Sequence, residues 1–163
     1  MRNGVRIGVD VGTVRIGVGR SDPSGSLASP LETVARDSDG GDIARILRIA
    51  AESEAIEIVV GHPLALSGRP SASTRDAVAF AERLAAGTEL PVRLVDERLS
   101  TVTASGALRA GGKRAKKQRA IIDRSAATVI LQHALETERT SGAPAGRLVV
   151  AGEPTPDGAE DRS

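Results

Sequence analysis

The spacing of apolar residues changes along the chain, and this change limits the folds that the chain can adopt. Residues 5–19 show the two-residue period of β-strands with a turn at 11–14, which predicts an antiparallel hairpin. A third short strand is expected near residues 32–34. From residue 43 onward, stretches with helical spacing alternate with short apolar runs. This order predicts an α/β protein whose mixed sheet, antiparallel first and parallel later, is flanked by helices.

The later elements are placed by periodicity and by flanking residues. Helices are expected at 43–50, 77–84, 101–109 and 122–138, and strands at 56–60, 92–95 and 147–151. Ser73 and Asp76 have capping-box spacing, and His62 is expected to open a long loop. The chain therefore divides into one domain over residues 1–151 and an acidic tail at 152–163, which we expect to be disordered.

Composition excludes several classes of protein. The chain has 163 residues with one Phe, no Trp and no Tyr, which argues against modules that stack bases on aromatic rings. It has no Cys, so disulfides and thiolate sites are impossible, and two His argue against a multi-His zinc site. No apolar run approaches the ~20 residues of a membrane span, and no signal-peptide pattern is found. We therefore expect a cytoplasmic protein without a membrane partner.

One segment carries an excess of positive charge. Residues 109–124 contain seven Lys or Arg and one Asp, so this window has a charge of +6 while the whole chain has +1. A charge run is often only a solvated face, and that interpretation stays open. Its place between Glu97 and Asp123 favours contact with substrate phosphate. The candidate phosphate-binding residues are Lys113, Arg114, Lys116, Lys117 and Arg119.

Three carboxylates are candidates for a metal site. Asp10 ends the first predicted strand, Glu97 follows a later one, and Asp123 lies near the start of the last helix. Sites in α/β sheets form beyond the carboxyl ends of parallel strands. Clustered carboxylates need a cation to stay ionised, and Mg²⁺ prefers such ligands. The pattern predicts metal-dependent cleavage of phosphodiester bonds. Structural roles would also explain the three acids, namely a turn at Asp10, an ion pair at Glu97 and a helix cap at Asp123.

Four blocks of this sequence together resemble the YqgF (RuvX-like) family of RNase H-fold nucleases. The blocks are RIGVDVG with RIGVG at residues 6–19, VGHPL at 60–64, DERLST at 96–101, and Asp123 followed by SAATVILQ at 125–132. Their order and spacing extend over about residues 5–135, which is most of the chain. The chain departs from the family pattern at 61–69, where the family's Asn and Asp are absent and His62 replaces an apolar residue.

The resemblance implies an RNase H-like fold and a nuclease that uses one or two Mg²⁺ or Mn²⁺ ions. It places the catalytic, metal-holding acids at Asp10, Glu97 and Asp123. The implied substrate is structured RNA, namely the 5′ end of pre-16S rRNA in a ribosomal context, or branched DNA. Further candidate substrate contacts are Thr13, Arg15, His62 and Arg98.

Three functions follow, in this order. The first is a nuclease that processes pre-16S rRNA in ribosome biogenesis. The second is a Holliday junction resolvase in DNA recombination and repair, which would act as a symmetric dimer. The third is a non-catalytic nucleic-acid-binding factor in transcription or ribosome assembly. The sequence leaves open whether the chain is a monomer or a homodimer.

Overall fold

A six-stranded sheet forms the centre of the computed structural model, which describes residues 1–64, 67, 69–97 and 126–150. The strands are β1 (Val5–Val11), β2 (Arg15–Ser21), β3 (Ala28–Ala35), β4 (Ala55–His62), β5 (Val92–Asp96) and β6 (Arg147–Val149). The helices are α1 (Gly41–Glu52), α2 (Ala72–Ala86) and α3 (Ala126–Ser141). No helix in these ranges has both the length and the apolar character needed to cross a membrane.

The strand order is β3-β2-β1-β4-β5-β6. β2 pairs antiparallel with both β1 and β3, whereas β4 pairs parallel with both β1 and β5. The predicted mixed sheet, antiparallel first and parallel later, is therefore confirmed. Because β1, β4 and β5 run in the same direction, their carboxyl ends meet at one edge of the sheet.

Two apolar clusters cover the two faces of the sheet. On one face, Ile7 and Val9 of β1 pack with α1 and α2, and Phe80 of α2 is fully buried there. On the other face, Val59 of β4 packs against the apolar side of α3, including Leu131. Alternate strand residues point to opposite faces, so Arg6, Gly8 and Asp10 of β1 belong to the α3 face.

Helix α3 lies very close to the sheet, and a glycine makes this possible. A β-carbon at Gly8 would lie 2.7 Å from Cβ of Leu131 and 2.8 Å from the carbonyl oxygen of Ala127. A glycine within a strand often marks a close approach of this kind.

Several predicted boundaries differ from the observed ones. The third strand runs over eight residues instead of three, and it tolerates Pro30 because it is the edge strand. His62 ends β4 instead of opening the following loop. The cap of α2 is Ser71, whose hydroxyl accepts from the Thr74 amide, so the predicted Ser73–Asp76 capping box is wrong. The predicted helix at 101–109, the start of the last helix and the tail lie outside the described residues.

Candidate functional site

Two of the predicted acids meet at the carboxyl edge of the parallel strands. Asp10 is the penultimate residue of β1, and Glu97 directly follows β5, with β4 between them. Their carboxyl groups share a hydrogen bond. They are 87 positions apart in sequence, so only the sheet topology brings them together.

The protonation of this pair follows from its surroundings. Burial, followed by the negative charge and hydrogen bond of Asp10 and the charge of Asp96, raises the pKa of Glu97 to about 7. Burial also raises the pKa of Asp10, and the hydrogen bond with Glu97 opposes that rise. These directions correspond to a protonated Glu97 that donates to the Asp10 carboxylate. A cation bound by both carboxylates would have to displace this proton.

Gly61 provides the space for the Glu97 carboxyl group. A β-carbon at this position of β4 would overlap Oε1 of Glu97, approach its Cδ to 3.1 Å and lie 2.5 Å from Cδ1 of Ile130. Glu97 therefore lies on the bare backbone of β4 with α3 beside it. Its carboxyl group is held in a narrow space between the sheet and the helix.

The donor set of this edge fits a hard divalent cation. Asp10 and Glu97 offer carboxylate oxygens, which are ligands that Mg²⁺ and Mn²⁺ prefer. Without a cation, burial destabilises the ionised form of both side chains. Within the described ranges, no group of three or more His, Asp or Glu residues could hold a metal ion. The third predicted acid, Asp123, lies outside those ranges.

The other predicted contacts are only partly described. Thr13 is exposed on the β1–β2 turn that follows Asp10, and Arg15 is exposed as the first residue of β2. His62 is paired in register with Asp96 at the same edge of the sheet. Arg98 and the five basic candidates at 113–119 lie outside the described residues.

Sequence reasoning missed two residues that shape this edge. The strand predicted at 56–60 stops one residue before Gly61, although a glycine within a strand can signal a close approach. Arg36 was not singled out, yet its guanidinium donates to the carbonyl oxygen of Gly12, two residues beyond Asp10. No local pattern marks Arg36, because its partners lie far away in the sequence.

Similarity to known proteins identifies the family of this chain. Residues 4–137 match the model of the RuvX family, described as Holliday junction resolvase. The chain belongs to the RuvX family. This confirms the family that the four sequence blocks predicted.

Curated RuvX-family relatives match nearly the whole chain. One from Clavibacter michiganensis is 60% identical over 158 residues, which cover 96% of this chain and 98% of the relative. One from Leifsonia xyli is 59% identical over 149 residues, covering 91% and 96%. Both carry the name "Putative pre-16S rRNA nuclease". The prediction that this chain is a nuclease, and hence a phosphodiester hydrolase, is confirmed at this level.

A solved structure supports the fold. RuvC from Thermus thermophilus, in complex with a Holliday junction substrate, superposes with a TM-score of 0.57 at 17% sequence identity. The alignment covers 86% of this chain and 98% of RuvC. The predicted RNase H-like architecture is therefore confirmed for this RuvX-family member.

Proposed function

We propose that this chain is a divalent-metal-dependent nuclease that processes the 5′ end of pre-16S rRNA. The proposal rests above all on the shared hydrogen bond between the Asp10 and Glu97 carboxyl groups at the carboxyl edge of the sheet. Such a pair has no evident structural benefit, since burial opposes both charges. The substrate is taken from the names of relatives that share up to 60% of their residues with this chain.

Asp10, Glu97 and Asp123 are the residues that would hold the ion. When bound, Mg²⁺ or Mn²⁺ supplies Lewis acidity toward a phosphate and lowers the pKa of a water molecule. The protein's own contribution is to fix the ligands. Asp10 is held within β1, where it is paired with Gly17 of β2, and Glu97 is confined between Gly61 and α3.

Glu97 must also release its proton before it can act as a ligand. Its pKa of about 7 makes this release possible at neutral pH, at little cost. A Glu97 that stayed protonated would leave the site with one ionised carboxylate fewer. The position of the proton thus links metal binding to pH.

Backbone phosphates need positive charge near this edge. Arg15 is exposed at the start of β2, just after the turn that follows Asp10, and the segment at 113–119 carries five Lys or Arg residues. We assign Lys116, Lys117 and Arg119 to phosphate contacts, which position a nucleic acid without reading its sequence. Binding by such contacts weakens steeply as the salt concentration rises.

A side-by-side cleavage assay tests the proposal. An extended 16S precursor RNA and a four-way DNA junction would be offered with Mg²⁺ or Mn²⁺ to the wild type and to Asp10→Asn. Asp39→Asn is the matched control, because Asp39 is an exposed Asp in the loop before α1. We expect RNA cleavage that is lost in Asp10→Asn and retained in Asp39→Asn. RNA turnover by Asp10→Asn at the wild-type rate would refute the assignment.

The resolvase remains the second candidate, because the family model itself carries that description. Cleavage of the junction alone would put this function first. Two strands of a junction must be cut, so a resolvase should be a dimer at the concentration used, which sedimentation would show. Binding of both substrates without cleavage by folded protein would instead favour a non-catalytic factor.

A further inference from the structure

We propose that Arg36 is a positioning residue for the acid pair, because it fixes the turn that continues directly from Asp10. The inference rests on the proposed function, since it assigns Arg36 a role in the same site. Arg36 is the first residue after β3. In the sheet, β3 lies next to β2, and β2 separates it from β1. Its side-chain partners among the described residues are Gly12, Asp42, Asp76 and Phe80, so we assign it a positioning role and not a catalytic one.

Arg36 holds the turn at two points. Its backbone amide donates to the carbonyl oxygen of Val14 at 3.0 Å. Its Nη1 donates to the carbonyl oxygen of Gly12 at 2.9 Å. Together, these bonds hold both ends of the three-residue segment 12–14 through one residue.

The guanidinium group is itself held firmly. Nη1 and Nη2 donate to the two carboxylate oxygens of Asp76 in α2 at 2.7 and 3.0 Å, a bidentate pair with well-defined geometry. Nε lies 3.7 Å from Oδ2 of Asp42 in α1, whose side chain is almost fully buried. The guanidinium also lies 5.5 Å from the centre of the buried Phe80 ring. Arg36 thus connects the turn to both helices of one face.

Among the described residues, the side chains at the tip of the turn make few other contacts. Thr13 and Val14 are exposed, and Val14 retains 69% of its accessible surface. Gly12 makes the turn tight, with its amide donating to the Arg15 carbonyl oxygen at 3.0 Å. Asp10 is the penultimate residue of β1 and lies only two residues before Gly12, so we expect a displacement of the turn to shift the carboxylate. A displacement of about 1 Å at such a site can lower the rate on the order of 100-fold.

A matched ion pair separates positioning from general stability. Arg45 of α1 forms a similar bidentate pair with Glu32 of β3, at 2.8 and 2.7 Å, but contacts neither Gly12 nor Val14 in the hydrogen bonds of the described residues. Arg45→Ala therefore removes the same chemistry from the same helix layer. A purely structural role for Arg36 would make the two variants alike.

The experiment compares kcat and KM of the wild type, Arg36→Ala, Arg36→Lys and Arg45→Ala on the substrate that the wild type cleaves. It is performed well below each melting temperature. We expect Arg36→Ala to lower kcat by about 10- to 100-fold with little change in KM. Arg36→Lys should recover part of kcat, because one donor and the charge remain. Arg45→Ala should behave as the wild type.

Hydrogen exchange supplies a second readout that needs no substrate. The Gly12 amide should exchange at least about tenfold faster in Arg36→Ala, while amides of β4 stay protected. If Arg36→Ala does not fold, Asp76→Asn loosens the same guanidinium group and should give smaller changes of the same kind in kcat and in exchange.

Wild-type kcat and wild-type exchange in Arg36→Ala, or an equal loss of kcat in Arg45→Ala, would overturn the inference. A wild type that neither binds Mn²⁺ nor cleaves would instead refute the proposed function.

Discussion

Replacing Glu138 by Gln should destabilise the protein more than any surface substitution, because it leaves an arginine buried without its counter-ion. Glu138 of α3 accepts hydrogen bonds from Nη2 of Arg6 at 2.8 Å and from Nη2 of Arg2 at 2.6 Å. Arg6 is 1% exposed and Glu138 is 4% exposed. The pair joins residues 132 positions apart, so it fastens the carboxyl end of α3 to the first strand.

The size of the effect follows from the protonation of Glu138. Burial alone raises the pKa of Glu138, but the hydrogen bonds from Arg2 and the charges of both arginines outweigh it and lower the pKa from 4.5 to about 2. A lowering of this size corresponds to about 3 kcal/mol of stability at neutral pH. Removal of one partner from a buried pair costs roughly 3–5 kcal/mol, which agrees. For a chain of this length, the expected fall in Tm is about 6–12 °C.

The assay is urea unfolding of the wild type and Glu138→Gln between pH 7 and pH 2. Because the folded-state pKa is depressed, the contribution of the Glu138 charge is complete above pH 4.5 and is lost as the pH falls toward about 2. The difference between the two proteins should therefore shrink across that window. The control is Glu52→Gln, which removes an exposed pair with Arg48 at 3.6 Å and should cost under about 0.5 kcal/mol. A loss below about 1 kcal/mol in Glu138→Gln, or a difference that does not change with pH, would refute the reasoning.

Three further predictions concern the site and its helix. Gly61→Ala should displace the Glu97 carboxyl group and lower kcat by about 10- to 100-fold. The change in Tm should be small, because the atoms that the new methyl group overlaps are the ends of flexible side chains. A wild-type kcat would contradict this. Mn²⁺ affinity measured by calorimetry should rise about tenfold per pH unit below pH 7 and level off above it, as Glu97 loses its proton, and Glu97→Gln should abolish this slope. Gly8→Ala should cost about 1–3 kcal/mol in urea unfolding, because the new methyl group meets the backbone oxygen of Ala127, whereas Gly19→Ala should cost less; equal losses would contradict the close packing of α3.

The parts of the fold that depend on short-range pattern could be predicted from the sequence. Strand β1 and helix α1 follow from the periods of their apolar residues. The meeting of Asp10 and Glu97 could be expected from the rule that parallel strands end at one edge. Their catalytic role remains a prediction, as does that of Asp123.

The rest depends on contacts between distant parts of the chain, which no local pattern encodes. The helix cap shows this on a small scale, because Ser71 and Ser73 both suit the start of α2. Asp76, which was expected to complete a capping box, instead binds Arg36 from 40 positions away. Pro30 is tolerated because β3 is an edge strand, and that position depends on the order of all the strands in the sheet.

The side of β1 that faces α3 combines three different requirements within five residues. Arg6 binds Glu138 and anchors the far end of α3, Gly8 lets the middle of the helix approach the sheet, and Asp10 places a carboxylate at the open edge. Because the strand fixes their spacing, the anchor holds α3 where it confines Glu97 beside Asp10. Glu138→Gln should therefore lower stability without lowering kcat at temperatures far below Tm, whereas Asp10→Asn should lower kcat without lowering stability. Loss of both properties in either variant would show that the anchor and the site are coupled more tightly than these contacts imply.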